Sequence, residues 1–194
     1  TDSEAELYVD SNLERRWRNL MARRIRMTRK IHLGQFNYFC TFTYDDKLHT
    51  EDSFRKRLKH TFEVFSWRMD WKYIGVWERS PEKQRLHFHG LFEIQNEALP
   101  GMMVVKEDYN FKTHTRQKIH QSIYFLERFA RNDFVLIDEP GSLGSAIAYL
   151  VKYIEKTGEK IVCSKGLSQY FISDILESDV VTTYGVEDKK LLLF

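Results

Sequence analysis

Residues Leu86-His87-Phe88-His89-Gly90-Leu91-Phe92-Glu93-Ile94 decide how the chain is organised. Apolar and aromatic residues dominate the stretch, so it reads as a β-strand. Alternation along a strand puts His87 and His89 on one face and Phe88 on the other. Two imidazoles at i and i+2 are neighbours on that face. Neutral imidazole is the commonest side-chain ligand for a divalent metal. The spacing alone equally suits a strand whose histidines are half-buried and hydrogen-bonded. The surrounding sequence has to choose between the two.

Upstream, Tyr73 to Glu78 reads as a second strand, and Arg79 to Gln84 as a polar turn. A short polar loop between two strands argues for an antiparallel pair. Pairing back from the loop sets Glu78 across from His87. Glu78, His87 and His89 then converge as two imidazole nitrogens and one carboxylate oxygen, with positions left open. That is a catalytic rather than a structural donor set. It favours Mg²⁺ or Mn²⁺, with zinc as an alternative.

Further upstream, Phe36 to Thr43 is rich in aromatic and β-branched residues and reads as a strand. Phe39, Thr41 and Thr43 share one of its faces, and Tyr38, Cys40 and Phe42 the other. Asp45 and Asp46 follow, suited to a turn and also to holding a metal or substrate. Glu6 to about Met27 reads as an amphipathic helix with arginines around its polar side. Thr50 suits a helix N-cap, with Glu51 and Asp52 in the first turn. Phe54, Leu58, Phe62 and Phe65 then recur along one face of a helix that runs to about Trp67.

Downstream, residues 96–115 read as loop with a short strand at Met102–Val105. Gln117 to Arg131 reads as a helix with Ile119, Ile123, Leu126 and Phe129 or Ala130 inward. His120 within it has no partner at metal spacing. Phe134 to Asp138 reads as a strand, Glu139 to Gly144 as a break, Lys160 to Ser164 as a strand and Tyr170 to Leu176 as a short helix.

The helix Ser145–Lys156 carries two stripes. Ile147, Leu150, Val151 and Ile154 make an apolar seam. Tyr149, Lys152, Tyr153 and Lys156 make a second stripe, read as nearly opposite. Residues at i and i+4 lie about 5–6 Å apart, so both phenols point the same way with lysines beside them. A phenol is a poor nucleophile at neutral pH, and adjacent ammonium groups favour its ionised form. The same pattern also suits tyrosines packed at a core edge with lysines in water. A metal-holding strand and a tyrosine–lysine helix together are the parts needed to cut a phosphodiester by transesterification.

Composition sets the outer limits. The chain has 194 residues, 42% hydrophobic and 30% charged, which suits one domain with a proper core. No stretch has the roughly 18 apolar residues of a membrane span, and the polar start shows no signal peptide. Cys40 and Cys163 belong to no C-x-x-C and read as buried free thiols of a reducing compartment. The net charge is only +2, but the cations cluster. Arg15, Arg16, Arg18, Arg23, Arg24, Arg26, Arg29 and Lys30 crowd the first helix; Arg55, Lys56, Arg57 and Lys59 crowd the second. Clustered cations suit a phosphate backbone or, equally, solvated helix faces. Among them Arg15, Arg16, Arg23, Arg55 and Lys59 are the expected DNA contacts. Trp67, Trp71 and Trp77 are candidates for stacking bases, although core packing is the commoner use of a tryptophan.

Three pieces in order carry a family resemblance: the strand Phe39–Thr43 with Tyr44-Asp45-Asp46, His87-Phe88-His89 with Glu78 upstream, and Tyr149-x-x-Lys152-Tyr153-x-x-Lys156. In this the chain resembles HUH endonucleases, specifically the rolling-circle replication initiators of small single-stranded DNA phages and plasmids. The resemblance spans about residues 36–166. It implies an α+β fold of the ferredoxin/RRM-like kind, a central antiparallel sheet of about five strands with helices packed around it. It implies one catalytic domain over 1–194: a basic helix at 1–33, a core at 36–166 and an extension at 167–194. It implies His87 and His89 as metal ligands with Glu78 as the third, Tyr153 as nucleophile with Lys156 as its partner, and Tyr149 as a second nucleophile.

The activity so implied is nicking and joining of single-stranded DNA at a replication origin. A Mn²⁺- or Mg²⁺-assisted attack by tyrosine leaves a 5′-phosphotyrosine link and a free 3′-OH. Host polymerase and helicase are the expected partners, and the host cytoplasm the expected location. No G-x-x-x-x-G-K-[ST] motif is present, so a fused helicase of that type is absent. The alternatives are a transposase or relaxase of the same superfamily, and a DNA-binding protein without catalysis.

Overall fold

Cys40 and Phe42 point to one face of strand β1 (Tyr38–Thr43), and Phe39, Thr41 and Thr43 to the other, as the alternation predicts. The computed structural model describes residues 2–80, 84–95, 98–110, 114–138, 141–157 and 160–169. Its elements run α1 (Asp2–His32), β1, α2 (Glu51–Met69), β2 (Lys72–Arg79), β3 (Leu86–Glu93), β4 (Met103–Asn110), β5 (Thr115–Ser122), α3 (Ile123–Arg128), β6 (Asn132–Leu136), α4 (Ser142–Thr157) and β7 (Val162–Cys163). The fold is mixed α+β with an antiparallel five-stranded sheet in the order β6-β1-β3-β2-β7.

The sheet has a layer on each face. On one, α2 lays Phe54, Leu58, Phe62 and Phe65 against Phe42, Trp77, Phe88 and Phe92. Thr50 caps α2 by accepting from the Ser53 amide. On the other face, Ile147, Leu150 and Ile154 of α4 pack with Met27 and Ile31 of α1 over Ile74, Val76 and Leu91. Gly75 and Gly90 are paired in the β2–β3 register. A Cβ at Gly75 would land on the His89 carbonyl oxygen and 2.5 Å from the Phe88 ring, so only glycine fits there.

Several expectations need correction. The segment after Glu93 is no loop: β4 and β5 pair as a separate hairpin from Met103↔Ser122 to Asn110↔Thr115. Gln117–Arg131 is accordingly no single helix, because its first part is β5 and only Ile123–Arg128 coils. The hairpin docks on β6 through Asn132, whose side chain stands in for a strand backbone. Its Oδ1 accepts from the Ser122 amide at 2.7 Å and its Nδ2 donates to the Ser122 carbonyl at 3.2 Å. The first helix starts earlier and ends later than expected, and its outer half leaves Leu7, Tyr8, Leu13 and Trp17 in solvent. The last strand shrinks to Val162–Cys163. Cys40 is buried as expected, whereas Cys163 is only partly so; both thiols are free. The helix expected at 170–176 lies outside the described residues. No described helix is long and apolar enough to cross a membrane.

Candidate active site

The β2–β3 register places Glu78 opposite His87 and Val76 opposite His89, as the short connecting turn predicts. Glu78 and His89 lie on the face that receives α4. Glu78 Oε2 stands 2.9 Å from His89 Nε2, and both residues are more than nine-tenths buried. A carboxylate only accepts, so in this pair Nε2 carries the hydrogen. Burial raises the Glu78 pKa, but hydrogen bonds from His89, Tyr153 and Tyr149 outweigh it and hold the carboxyl below its usual value. His87 is pushed down to about 4, chiefly by burial and then by the charge of His89, so its imidazole is neutral at pH 7.

Strand β1 supplies partners that sequence reasoning did not assign. Thr41 Oγ1 lies 3.0 Å from His89 Nδ1, and Thr43 Oγ1 lies 2.9 Å from His87 Nδ1. The cause is the register: Thr41 pairs with His89 and Thr43 with His87. Two residues at i and i+2 on β1 meet two at i and i+2 on β3. The matched alternation of the two strands was the available signal. Phe39 completes this face, its ring stacked 6.2 Å from His89 and edge-on at 5.6 Å to Tyr149.

Helix α4 brings both tyrosines to the same place. The Tyr149 hydroxyl donates to Glu78 Oε2 at 3.3 Å. The Tyr149 ring is 5.2 Å from that of His89, and the Tyr153 ring stacks on His89 at 6.1 Å and 15°. The two phenols are edge to face at 4.8 Å. They do not lie opposite the apolar seam. Tyr153 is buried with Leu150 and Ile154, because three residues on a helix turn the side chain by only about 60° from Leu150. Nor do lysines lower the phenols. Burial, then the bond to Tyr153 and the Glu78 charge, pushes Tyr149 far up, and burial pushes Tyr153 up. Lys152 is exposed, and the side chain of Lys156 lies outside the described residues.

The remaining candidates sit elsewhere. Asp45 serves the turn, accepting from the Lys47 amide at 2.9 Å, and Asp46 pairs with Arg85. His120 is exposed on β5. Trp71 and Trp77 are core, while Trp67 is 82% exposed. Arg15, Arg16 and Arg23 lie on α1, whereas Arg55 and Lys59 lie on α2 across the sheet. Arg55 is held by Glu51 at 3.5 Å and Lys59 by Glu63 at 3.7 Å.

The donors that face a cation are two imidazole rings turned by their threonines, each keeping Nε2 as its available atom, and an ionised carboxylate. That set suits a divalent ion chemically. Among the described residues no three His, Cys, Asp or Glu side chains already stand close enough to enclose one; Glu78 closes directly on His89 instead.

An antiparallel sheet that presents His-x-His and a carboxylate to a two-tyrosine helix defines a class of site with acid–base and nucleophilic groups in contact. The family model for the replication-associated proteins of the ORF2 family matches residues 37–158, more than half of the chain, and covers every one of these groups. The chain belongs to this family. Membership implies a role in replication initiation and interaction with DNA. No individual curated protein and no solved structure matches the chain.

Proposed function

We propose that the chain nicks and rejoins single-stranded DNA at a replication origin through a tyrosine of α4, as an endonuclease of the HUH superfamily. The observation that carries this reading is the convergence of Tyr149, Tyr153, Glu78 and His89 from three elements, with the Tyr149 hydroxyl 3.3 Å from Glu78 Oε2.

Glu78, His87 and His89 would hold a divalent ion, Mn²⁺ or Mg²⁺. Such an ion supplies charge stabilisation at a phosphate oxygen and makes the phosphorus more electrophilic. The protein's own groups do the rest. The tyrosine oxygen bonds to phosphorus as the P–O3′ bond breaks. The departing 3′ oxygen takes up a proton and becomes a free 3′-OH. The phenol's proton already points to an acceptor, Glu78 Oε2. Burial keeps both phenols protonated at rest, so attack requires the approaching substrate to create the need for that transfer. Because one ester replaces another, a 3′-OH can attack the phosphotyrosine and rejoin the strand. The second tyrosine, 4.8 Å away by ring centroid, is placed to take a second cut.

One observation favours a second reading. The direct Glu78–His89 contact satisfies the carboxylate without a cation, as in a DNA-binding protein whose histidines are structural. Labelled single-stranded origin oligonucleotides, incubated with Mn²⁺ or with EDTA and run on a denaturing protein gel, separate the two. Nicking gives a metal-dependent covalent band that is lost in the Tyr149→Phe/Tyr153→Phe double variant. Binding with no covalent band supports the second reading.

A further inference from the structure

On the face of the sheet away from the candidate site, α2, α3 and the loop before α2 enclose an open cavity of about 690 Å³. That lies inside the range of about 300–1,000 Å³ typical of small-ligand sites. Lys56 and Arg57 of α2 and Arg128 of α3 line it, against one acid, Glu127, among the described lining residues. Tyr124 and Phe129 supply its aromatic wall.

The second basic cluster is sorted by the fold. Arg55 is taken up by Glu51 and by the Trp77 ring, 4.9 Å below its guanidinium, and Lys59 by Glu63. Lys56 and Arg57 instead face the cavity. Arg128 lies 3.8 Å over the Tyr124 ring, which holds its planar guanidinium ready to stack a base or fork to a phosphate. Cations around an aromatic wall suit a nucleotide within a strand, where charge and base are bound together.

We propose that this cavity binds the backbone and a base of single-stranded DNA continuing from the candidate site around the end of the sheet. This rests on DNA being the substrate. The reach is short. Thr43, bonded to His87, is five residues from Leu48, which lines the cavity. Five residues span at most about 18 Å. At the duplex rise of 3.4 Å per nucleotide that is about five nucleotides.

The test is fluorescence anisotropy of a labelled thymidine homopolymer long enough to span both places, titrated between about 50 and 200 mM salt. The protein is the full chain, as wild type, Lys56→Gln/Arg57→Gln/Arg128→Gln and Lys59→Gln. The replaced side chains are exposed, so circular dichroism should match wild type. Each single-strand phosphate contact contributes about 0.7 to the log–log salt slope. The triple variant should therefore lose about 2 from the slope. Wild type should lose about twentyfold more affinity than the variant across that salt range. Lys59→Gln should keep the wild-type slope. An unchanged slope in the triple variant, or an equal loss in Lys59→Gln, overturns the proposal. So does displacement of the strand by thymidine monophosphate as effective as displacement by the homopolymer. The covalent band is scored on the same samples with origin DNA. A band with an unchanged slope rejects the cavity and keeps nicking; a reduced slope without any band keeps the cavity and rejects nicking.

Discussion

Glu78 Oε2 and His89 Nε2 lie 2.9 Å apart on adjacent strands, and the Tyr149 hydroxyl donates to that same oxygen from α4 at 3.3 Å. One carboxylate thus joins the histidine strand to the tyrosine helix. Glu78→Gln keeps its shape and removes its charge. The variant should bind Mn²⁺ about tenfold more weakly or worse by calorimetry, while its denaturant midpoint moves little. Unchanged Mn²⁺ affinity would remove Glu78 from the ligand set.

Thr41 and Thr43 fix which nitrogen of each histidine faces the carboxylate side. Thr41→Val or Thr43→Val keeps the strand shape and deletes the hydroxyl. Mn²⁺ affinity should fall by about 10–100-fold, the usual cost of losing such a partner. The ¹⁵N shifts of His89 or His87 in metal-free protein should move toward mixed tautomers. Wild-type shifts together with wild-type affinity would make the threonines ordinary strand residues.

Gly75 is a structural requirement of the site, because its neighbour across the ladder is the backbone that carries His89. Gly75→Ala drives a methyl into the His89 carbonyl, which cannot swing aside as a side chain can. The loss should be about 3 kcal/mol or more by denaturant unfolding, the upper end for overpacking. A loss well below that would mean that β2 and β3 shift apart cheaply.

Tyr73 gives a pH dependence of known sign. Burial, with the Glu63 charge adding to it, raises this phenol to about 12 in the folded protein. The unfolded chain ionises near 10. The unfolded state therefore releases its proton first. The contribution is complete below pH 10 and is lost as pH rises from 10 to about 12. Unfolding free energies of wild type and Tyr73→Phe should converge across that window, and parallel curves would contradict the assignment.

Much of the central sheet is legible in the sequence because each strand has a clean period of two. The alternation of Tyr38–Thr43 sorts core from site, and the short polar turn sets Glu78 against His87. The β4–β5 hairpin escapes for the opposite reason. Residues such as Lys106, Glu107, Lys118 and His120 are exposed, so no apolar face marks the strands. Its docking depends on Asn132, a contact between residues ten apart that no local pattern reveals. Ile119, Ile123 and Leu126 mimic a helical stripe because β5 runs directly into α3. At the site, the meeting of histidines, carboxylate and tyrosines is foreseeable from motif order. The state of the phenols is not, because it depends on burial under α4 rather than on the lysines beside them in sequence.

The most direct measurement is mass spectrometry of the protein after Mn²⁺-dependent reaction with origin single strand and protease digestion. A 5′-nucleotide attached through phosphate to Tyr149 or Tyr153, in a peptide from α4, is the predicted result. Cleaved DNA with no protein-linked product, or a link to a residue outside α4, would contradict a tyrosine transesterase at this site.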